Sequence, residues 1–293
     1  MPLLDAQTLS HLTGVKVRAR AIVEGVLSGL HKSPHQGQSV EFAEHKEYAP
    51  GDELKHLDWK AYGKFDRYYV KRYEHETNLR ATMVVDTSGS MGFGTTGLSK
   101  LDVAKVLAAT LSHLLLRQQD GAGIALVAAG RHKEVPARAT ATHLQVLLDE
   151  LEVATAHGQT DLASVADRLA ENLPRRSLVC VFSDFFDERA DALKRLVALR
   201  ARKHDVAIFH LVDPAELTFP YDDPTLFLSL EDDQRVEVNP REIRESYLEE
   251  FGRFLEDSRT VCTNADCDYL RVSTDEPLDG VLLRFLGSRG GRP

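Results

Sequence analysis

The sequence predicts an α/β protein built on a doubly wound, mostly parallel sheet, with an N-terminal helix and a small β-rich subdomain ahead of it. Three observations carry that prediction. From residue 80 onward, short apolar runs alternate with longer segments of helical periodicity, the pattern of strand–helix units on a parallel sheet. The run 81–85 is short, mostly apolar and rich in β-branched residues, and 178–183 is a second apolar run, as buried strands are. Each ends in a carboxylate, Asp86 and Asp184, and a carboxylate at a strand's carboxyl tip stands in the crevice where open α/β sheets bind ligands.

Taken in order, residues 3–30 read as a helix or two, with Leu9, Leu12, Val15, Ala19, Ile22, Val23, Val26 and Leu30 at helical spacing. Gly29, Ser33-Pro34 and Gly37 break that pattern. Residues 40–73 change character, with the turn Pro50-Gly51-Asp52 and short aromatic segments, and read as the β-rich subdomain. The strand 81–85 follows, then a strongly apolar helix over 100–118. A strand over 124–129 pairs with an edge strand over 132–138, and helices are expected over 143–151 and 162–172. The central strand 178–183, a helix over 190–203 and a strand over 206–212 continue the alternation. Residues 226–230 and 235–238 read as a hairpin around Glu231-Asp232-Asp233-Gln234. An amphipathic helix over 241–257, a strand over 269–273 and a helix over 278–286 close the chain. The expected division is therefore 1–78, 79–286 and a disordered tail over 287–293.

Composition narrows the class. A chain of 293 residues holds one large domain or two small ones, and its net charge of −9 argues against a general binder of nucleic acid or membrane surfaces. The first ten residues carry Asp5 and no basic n-region, so no secretory signal is read there, and the apolar stretch around 106–116 is too short to span a bilayer. Three cysteines fit a reducing cytoplasm, and Cys262 and Cys267, with four residues between them and no second pair, are not expected to hold zinc.

Chemistry concentrates at Asp86-Thr87-Ser88-Gly89-Ser90. Hydroxyls two and four positions beyond Asp86 can turn back toward one point, and an oxygen-only set suits a hard cation such as Mg²⁺ or Mn²⁺. This run resembles the D-x-S-x-S signature of the metal-ion-dependent adhesion site of von Willebrand factor A domains. The resemblance implies a threonine and an aspartate from two later loops, and Thr160 in His157-Gly158-Gln159-Thr160-Asp161 and Asp184 match in order. It implies that Ser88 and Ser90 bind the metal directly, Thr160 directly or through water, and Asp86 and Asp184 through water, with one position open for a partner's carboxylate. Asp161 and Asp187 are near enough in sequence to add negative charge.

A wider resemblance covers roughly residues 10–215. The stretch from Gly37 to Lys60, with Glu47-Tyr48-Ala49-Pro50-Gly51-Asp52 and Leu57-Asp58-Trp59-Lys60, and the run from Tyr69 to Glu76 resemble the bacterial family labelled domain of unknown function 58. That resemblance implies an adaptor or co-chaperone working with a MoxR-type AAA+ ATPase. Many members carry an N-terminal membrane helix pair, which is not read in this chain.

Three competing readings are weighed against this one. Asp86 and Asp184 could cap the helices that follow them. Asp86 could be the nucleophile of a phosphoaspartate-type hydrolase, but such enzymes need a second acid at position 88, where this chain has serine. The basic and aromatic residues of 55–80 could hold single-stranded nucleic acid, although Asp58, Asp66, Glu74 and Glu76 dilute that charge and Trp59 and the tyrosines suit a protein-docking face better. The segment 92–100, with its glycines and Lys100, lacks phosphate-loop spacing and is expected to be a flexible insertion beside the metal. The favoured reading is a non-enzymatic, metal-dependent protein-interaction module.

Overall fold

The computed structural model describes residues 14–30, 45–47, 69–71, 79–128, 131–186 and 191–289. The chain divides into two units, Ser33–Asn78 and the remainder. Its first described element is α1 (Val15–Leu30), amphipathic as its spacing predicts. Within the Ser33–Asn78 unit, β1 (His45–Glu47) pairs antiparallel with β2 (Tyr69–Lys71), His45 opposite Lys71. The expectations for residues 3–13, for Trp59 and Tyr62 as a docking face, and for Asp187 lie outside the described residues.

The large unit carries β3 (Arg80–Asp86), β4 (Gly121–Ala128), β5 (Arg131–Arg138), β6 (Leu178–Ser183), β7 (Asp205–Val212), a separate hairpin of β8 (Thr225–Leu228) and β9 (Arg235–Val238), and β10 (Asp268–Ser273). Six of these strands form one sheet in the order β10-β7-β6-β3-β4-β5, parallel except where β5 runs antiparallel on the edge. The expected α/β, doubly wound, mostly parallel class is the one observed. Between the strands lie α2 (Lys100–Arg117), α3 (His143–Val153), α4 (Leu162–Asn172), α5 (Ala192–Ala198), α6 (Pro214–Thr218) and α7 (Pro240–Asn264), and α8 (Leu278–Arg289) follows β10.

The period-2 alternation of the strands sorts the core onto two faces. Met83, Val85, Cys180, Phe182 and Phe209 meet the buried side chains of α2, α3 and α8. Val84, Val179, Val181 and Ile208 meet those of α4, α5 and the end of α7, including Cys262. Cys262 and Cys267 are free thiols within this second core, and burial pushes them up to about 12 and about 11. Because β3 and β6 are central neighbours, Asp86 and Ser183-Asp184 emerge side by side at the sheet's carboxyl edge.

Several boundaries differ from the sequence reading, and α7, expected to end at 257, runs on to Asn264. Helix α1 belongs to the α/β unit and not with the β-rich segment, because Val15, Ala19, Ile22, Val23 and Val26 are buried against α2, α3 and α8. Strand β4 starts at Gly121, where glycine serves a purpose. A Cβ on Gly123 would sit 2.6 Å from the Ala137 nitrogen and Val135 oxygen of β5, so the bulged edge approaches closely only because none is there. Helix α8 runs on through Arg289, so residues 287–289 are not tail: the Ser288 hydroxyl bonds the Phe285 carbonyl, and Arg289 pairs with Asp268 at 2.9 Å over the Phe285 ring. No helix among the described residues is long and apolar enough to cross a membrane.

Candidate functional site

Asp86 is fully buried, and both its oxygens accept hydrogen bonds. The Ser88 amide donates to Oδ1 at 2.9 Å and the Ser183 hydroxyl to Oδ2 at 2.6 Å. The Ser88 and Ser90 hydroxyls lie 3.2 Å apart. Two backbone bonds tie the neighbouring loop to this turn: Gly89 N–H to the Gly158 carbonyl at 2.7 Å and His157 N–H to the Thr87 carbonyl at 2.9 Å. That loop carries Thr160, whose buried Oγ1 has no hydrogen-bond partner among the described residues. Asp184 follows Ser183 and is buried against the same strand tips, close enough for its charge to act on Asp86. The fold thus gathers Asp86, Ser88, Ser90 and Asp184 at one edge and ties the Thr160 loop to it. Asp161, expected to add negative charge, lies 3.8 Å from the His132 imidazole.

The aspartates are not helix caps. Helix α2 is capped by Ser99, which forms a reciprocal capping box with Asp102, and the N-cap position of α5 is Asp191. Nor is 92–100 a loose insertion. Phe93 and Lys100 close a backbone bond at 2.9 Å, Thr95 donates to Asp213 through both amide and hydroxyl, and the Thr96 hydroxyl lies 3.2 Å from that of Thr274. Those side chains tie the segment to Thr274, just past β10, and to the Asp213 cap of α6.

Pinning this segment places Lys100, the functional neighbour that sequence reasoning missed. Its ammonium is buried and donates to Asp184 Oδ2 at 2.7 Å and to Glu216 Oε1 at 2.6 Å, with the Phe186 ring centroid 5.1 Å away. Burial pulls Lys100 down, but the two carboxylates more than offset it, and its pKa lies above the ordinary lysine value. A signal did exist in the sequence: a lysine at the first residue of an apolar helix opposes the positive end of the helix dipole, so a buried anion has to explain it. Glu216, raised by its own burial against the pull of Lys100, is the third residue of a five-residue helix, where its capping box with Asp213 marks a helix start but not its meeting with Lys100.

Two buried carboxylates, Asp184 and Glu216, therefore share one ammonium, with Asp86 beside Asp184. Burial, reinforced by the charge of Asp184, raises Asp86 to about 7, while the bonds from Ser183 and Ser88 pull it the other way. This excess of buried negative charge, with an unpartnered threonine hydroxyl on the adjoining loop, fits a divalent cation. Among the described residues no three His, Cys, Asp or Glu side chains converge into a ready cage, so such a cation relies on hydroxyls and retained water, as Mg²⁺ readily does. Beside Ser90 opens a cavity of about 480 Å³, walled by Phe93, Phe219, Phe227 and Tyr247 and floored by Lys100 and Glu216.

The Asp86 carboxyl gives the metal-free fold a pH dependence. Its folded value stands above the unfolded value of 3.8, so the stability it contributes is fully present below about pH 4 and is lost as pH rises through about 7. Asp86→Asn, which keeps an acceptor for the Ser88 amide, is expected to flatten the pH profile of urea stability in EDTA between pH 4 and 7. A wild-type stability that climbs steadily over that interval, with an unchanged slope in the variant, would contradict the assignment.

Comparison with known proteins gives a family. An uncharacterized Mycobacterium tuberculosis protein, Rv1480, is 24% identical over 290 residues, covering 97% of this chain and 90% of its own length. Among solved structures, an aerotolerance-related membrane protein from Bacteroides fragilis is similar at a TM-score of 0.47 and 14% identity, over 72% of this chain and 98% of its own. The SpRpn10 VWA domain is similar at 0.40 and 10%, over 70% and 94%. The family described as "Protein of unknown function DUF58" matches residues 44–254, most of the chain. This protein belongs to the DUF58 family.

Proposed function

We propose that this protein is a cytoplasmic, metal-dependent protein-interaction module that holds Mg²⁺ or Mn²⁺ with Ser88, Ser90 and Thr160, backed by Asp86 and Asp184. The observation that carries the reading is the buried excess of carboxylate over ammonium beside a threonine hydroxyl that bonds to nothing described. The metal supplies a positive centre able to accept a partner's acidic side chain. The protein's own groups do the rest: the Lys100 ammonium bonds and orients the Asp184 carboxylate, and the Ser183 hydroxyl fixes the Asp86 carboxyl. The resemblance noted in the sequence supports a MoxR-type AAA+ ATPase as partner, with this chain as adaptor or co-chaperone. The hydrolase reading gains a nearby lysine, but Asp86 has both oxygens engaged, no exposure and a raised pKa, all unfavourable to a nucleophile.

Calorimetric titration with Mn²⁺ tests the site. Wild type is expected to bind one ion weakly, and Ser88→Ala with Ser90→Ala to lose binding while keeping its circular dichroism spectrum. Unchanged Mn²⁺ affinity in that double variant would sink the proposal. Retention of a purified MoxR-type ATPase in Mg²⁺, and its loss both in EDTA and with the double variant, tests the partner.

A further inference from the structure

The acidic turn between β8 and β9 lies on the metal loop. Phe227 of β8 stacks on Phe219 at 5.7 Å and meets Tyr221 edge-on at 5.3 Å, and Phe219 in turn packs against Tyr247 of α7 at 4.5 Å, so the hairpin is anchored by its aromatic face. Its turn is internally fixed. The Ser229 amide donates to the Gln234 carbonyl, the Glu231 and Asp232 amides donate to the Ser229 hydroxyl, and the Gln234 amide donates to the Asp232 carboxylate. That geometry brings the Leu230 carbonyl against Gly89, where a Cβ would be only 2.6 Å from the carbonyl carbon. The next side chain, Glu231, passes over Gly89, and its Oε1 accepts from the Ser90 amide at 3.4 Å.

We infer that Glu231 is an oxygen ligand of the cation supplied by the chain itself, completing in the free protein the coordination position that a partner's carboxylate takes. The inference rests on the metal reading above. A carboxylate already at the Ser90 amide stands next to the hydroxyl that binds the ion, and a carboxylate is the group an open position on a hard cation prefers. The partner's acid then enters by displacing Glu231. The module is held closed by its own hairpin, and the cost of engagement is the cost of lifting this one turn.

The test uses the full chain, Mn²⁺ as the probe, and two readouts: affinity by calorimetry, and water-proton relaxation, which reports exchangeable waters on the bound ion. Glu231→Gln removes the charge and keeps the shape. It is expected to bind Mn²⁺ roughly three- to tenfold more weakly, since ligand charge tunes affinity, with more exchangeable water per bound ion. Glu231→Asp, which shortens the arm by one methylene, should show the same added water. Mn²⁺ binding that depends on Ser88 and Ser90 but is unchanged in affinity and relaxation in both Glu231 variants would overturn this inference and leave the metal site standing. No Mn²⁺ binding by the wild type would overturn both.

Discussion

Lys100→Met is expected to lower stability by roughly 3–5 kcal/mol at pH 7, the largest single effect in the molecule, because removing one partner of a buried pair strands the other. Here it strands two, since the one ammonium serves both Asp184 and Glu216 in a site where Asp86 adds a third carboxylate. Urea unfolding in EDTA at pH 7 and pH 5 measures it. The loss should be smaller at pH 5, where Asp86, raised to about 7, is largely protonated and Glu216, also raised, carries less charge. Adding Glu216→Gln should restore part of the stability, because the two sites share one ion pair and their effects do not add. A loss below about 1 kcal/mol, the range of exposed pairs, would mean that water reaches this ammonium.

Gly89→Val is the second large effect. The side chain would run into the Leu230 carbonyl group, a backbone obstacle that no rotamer change relieves, and Glu231 closes the remaining side. Either the hairpin lifts or the Ser88–Ser90 turn deforms, at a cost of roughly 1–3 kcal/mol for overpacking. Hydrogen exchange distinguishes the two routes. Loss of protection confined to 225–238, with β3 and β6 unchanged, is the expected pattern, because the hairpin is a separate two-stranded sheet. Gly158 makes the contrast. Nothing lies within 4 Å of its Cβ position, but its φ is +66°, so Gly158→Ala bears the left-handed backbone strain of about 1 kcal/mol and no clash. Loss of protection throughout the sheet in Gly89→Val would show that the hairpin does not give way first.

Much of the site's placement was legible in the sequence because it depends on local pattern. An apolar run followed by a polar tip says where a strand ends, and two such tips on neighbouring central strands bring Asp86 and Asp184 together at the sheet's carboxyl edge. Lys100, Glu216 and Glu231 were not legible as members of the same site, because each reaches it across long sequence separations: Lys100 to Asp184, Glu216 back to Lys100, and Glu231 back to Ser90. No local periodicity encodes such meetings. The same limit applies to α1. Its apolar stripe is plain from the spacing of Val15, Ala19, Ile22, Val23 and Val26, but a stripe says only that something covers it. Gly123 is similar: the residue is visible, while the backbone of β5 that demands it arrives through pairing.

The partner of α1 sets the order in which the molecule can be assembled. The helix packs on α2 and also on α8, the last described element of the chain. Of the described elements α1 is made first and α8 last, so the part of its stripe that α8 covers stays open until residues 278–289 are made, while α2 and α3 are at hand much earlier. Closing so distant a contact costs chain entropy, though that cost grows only slowly with separation. The seat of α1 is therefore complete only once α8 docks, and the apolar surface left open until then is one that a chaperone or a second chain can reach.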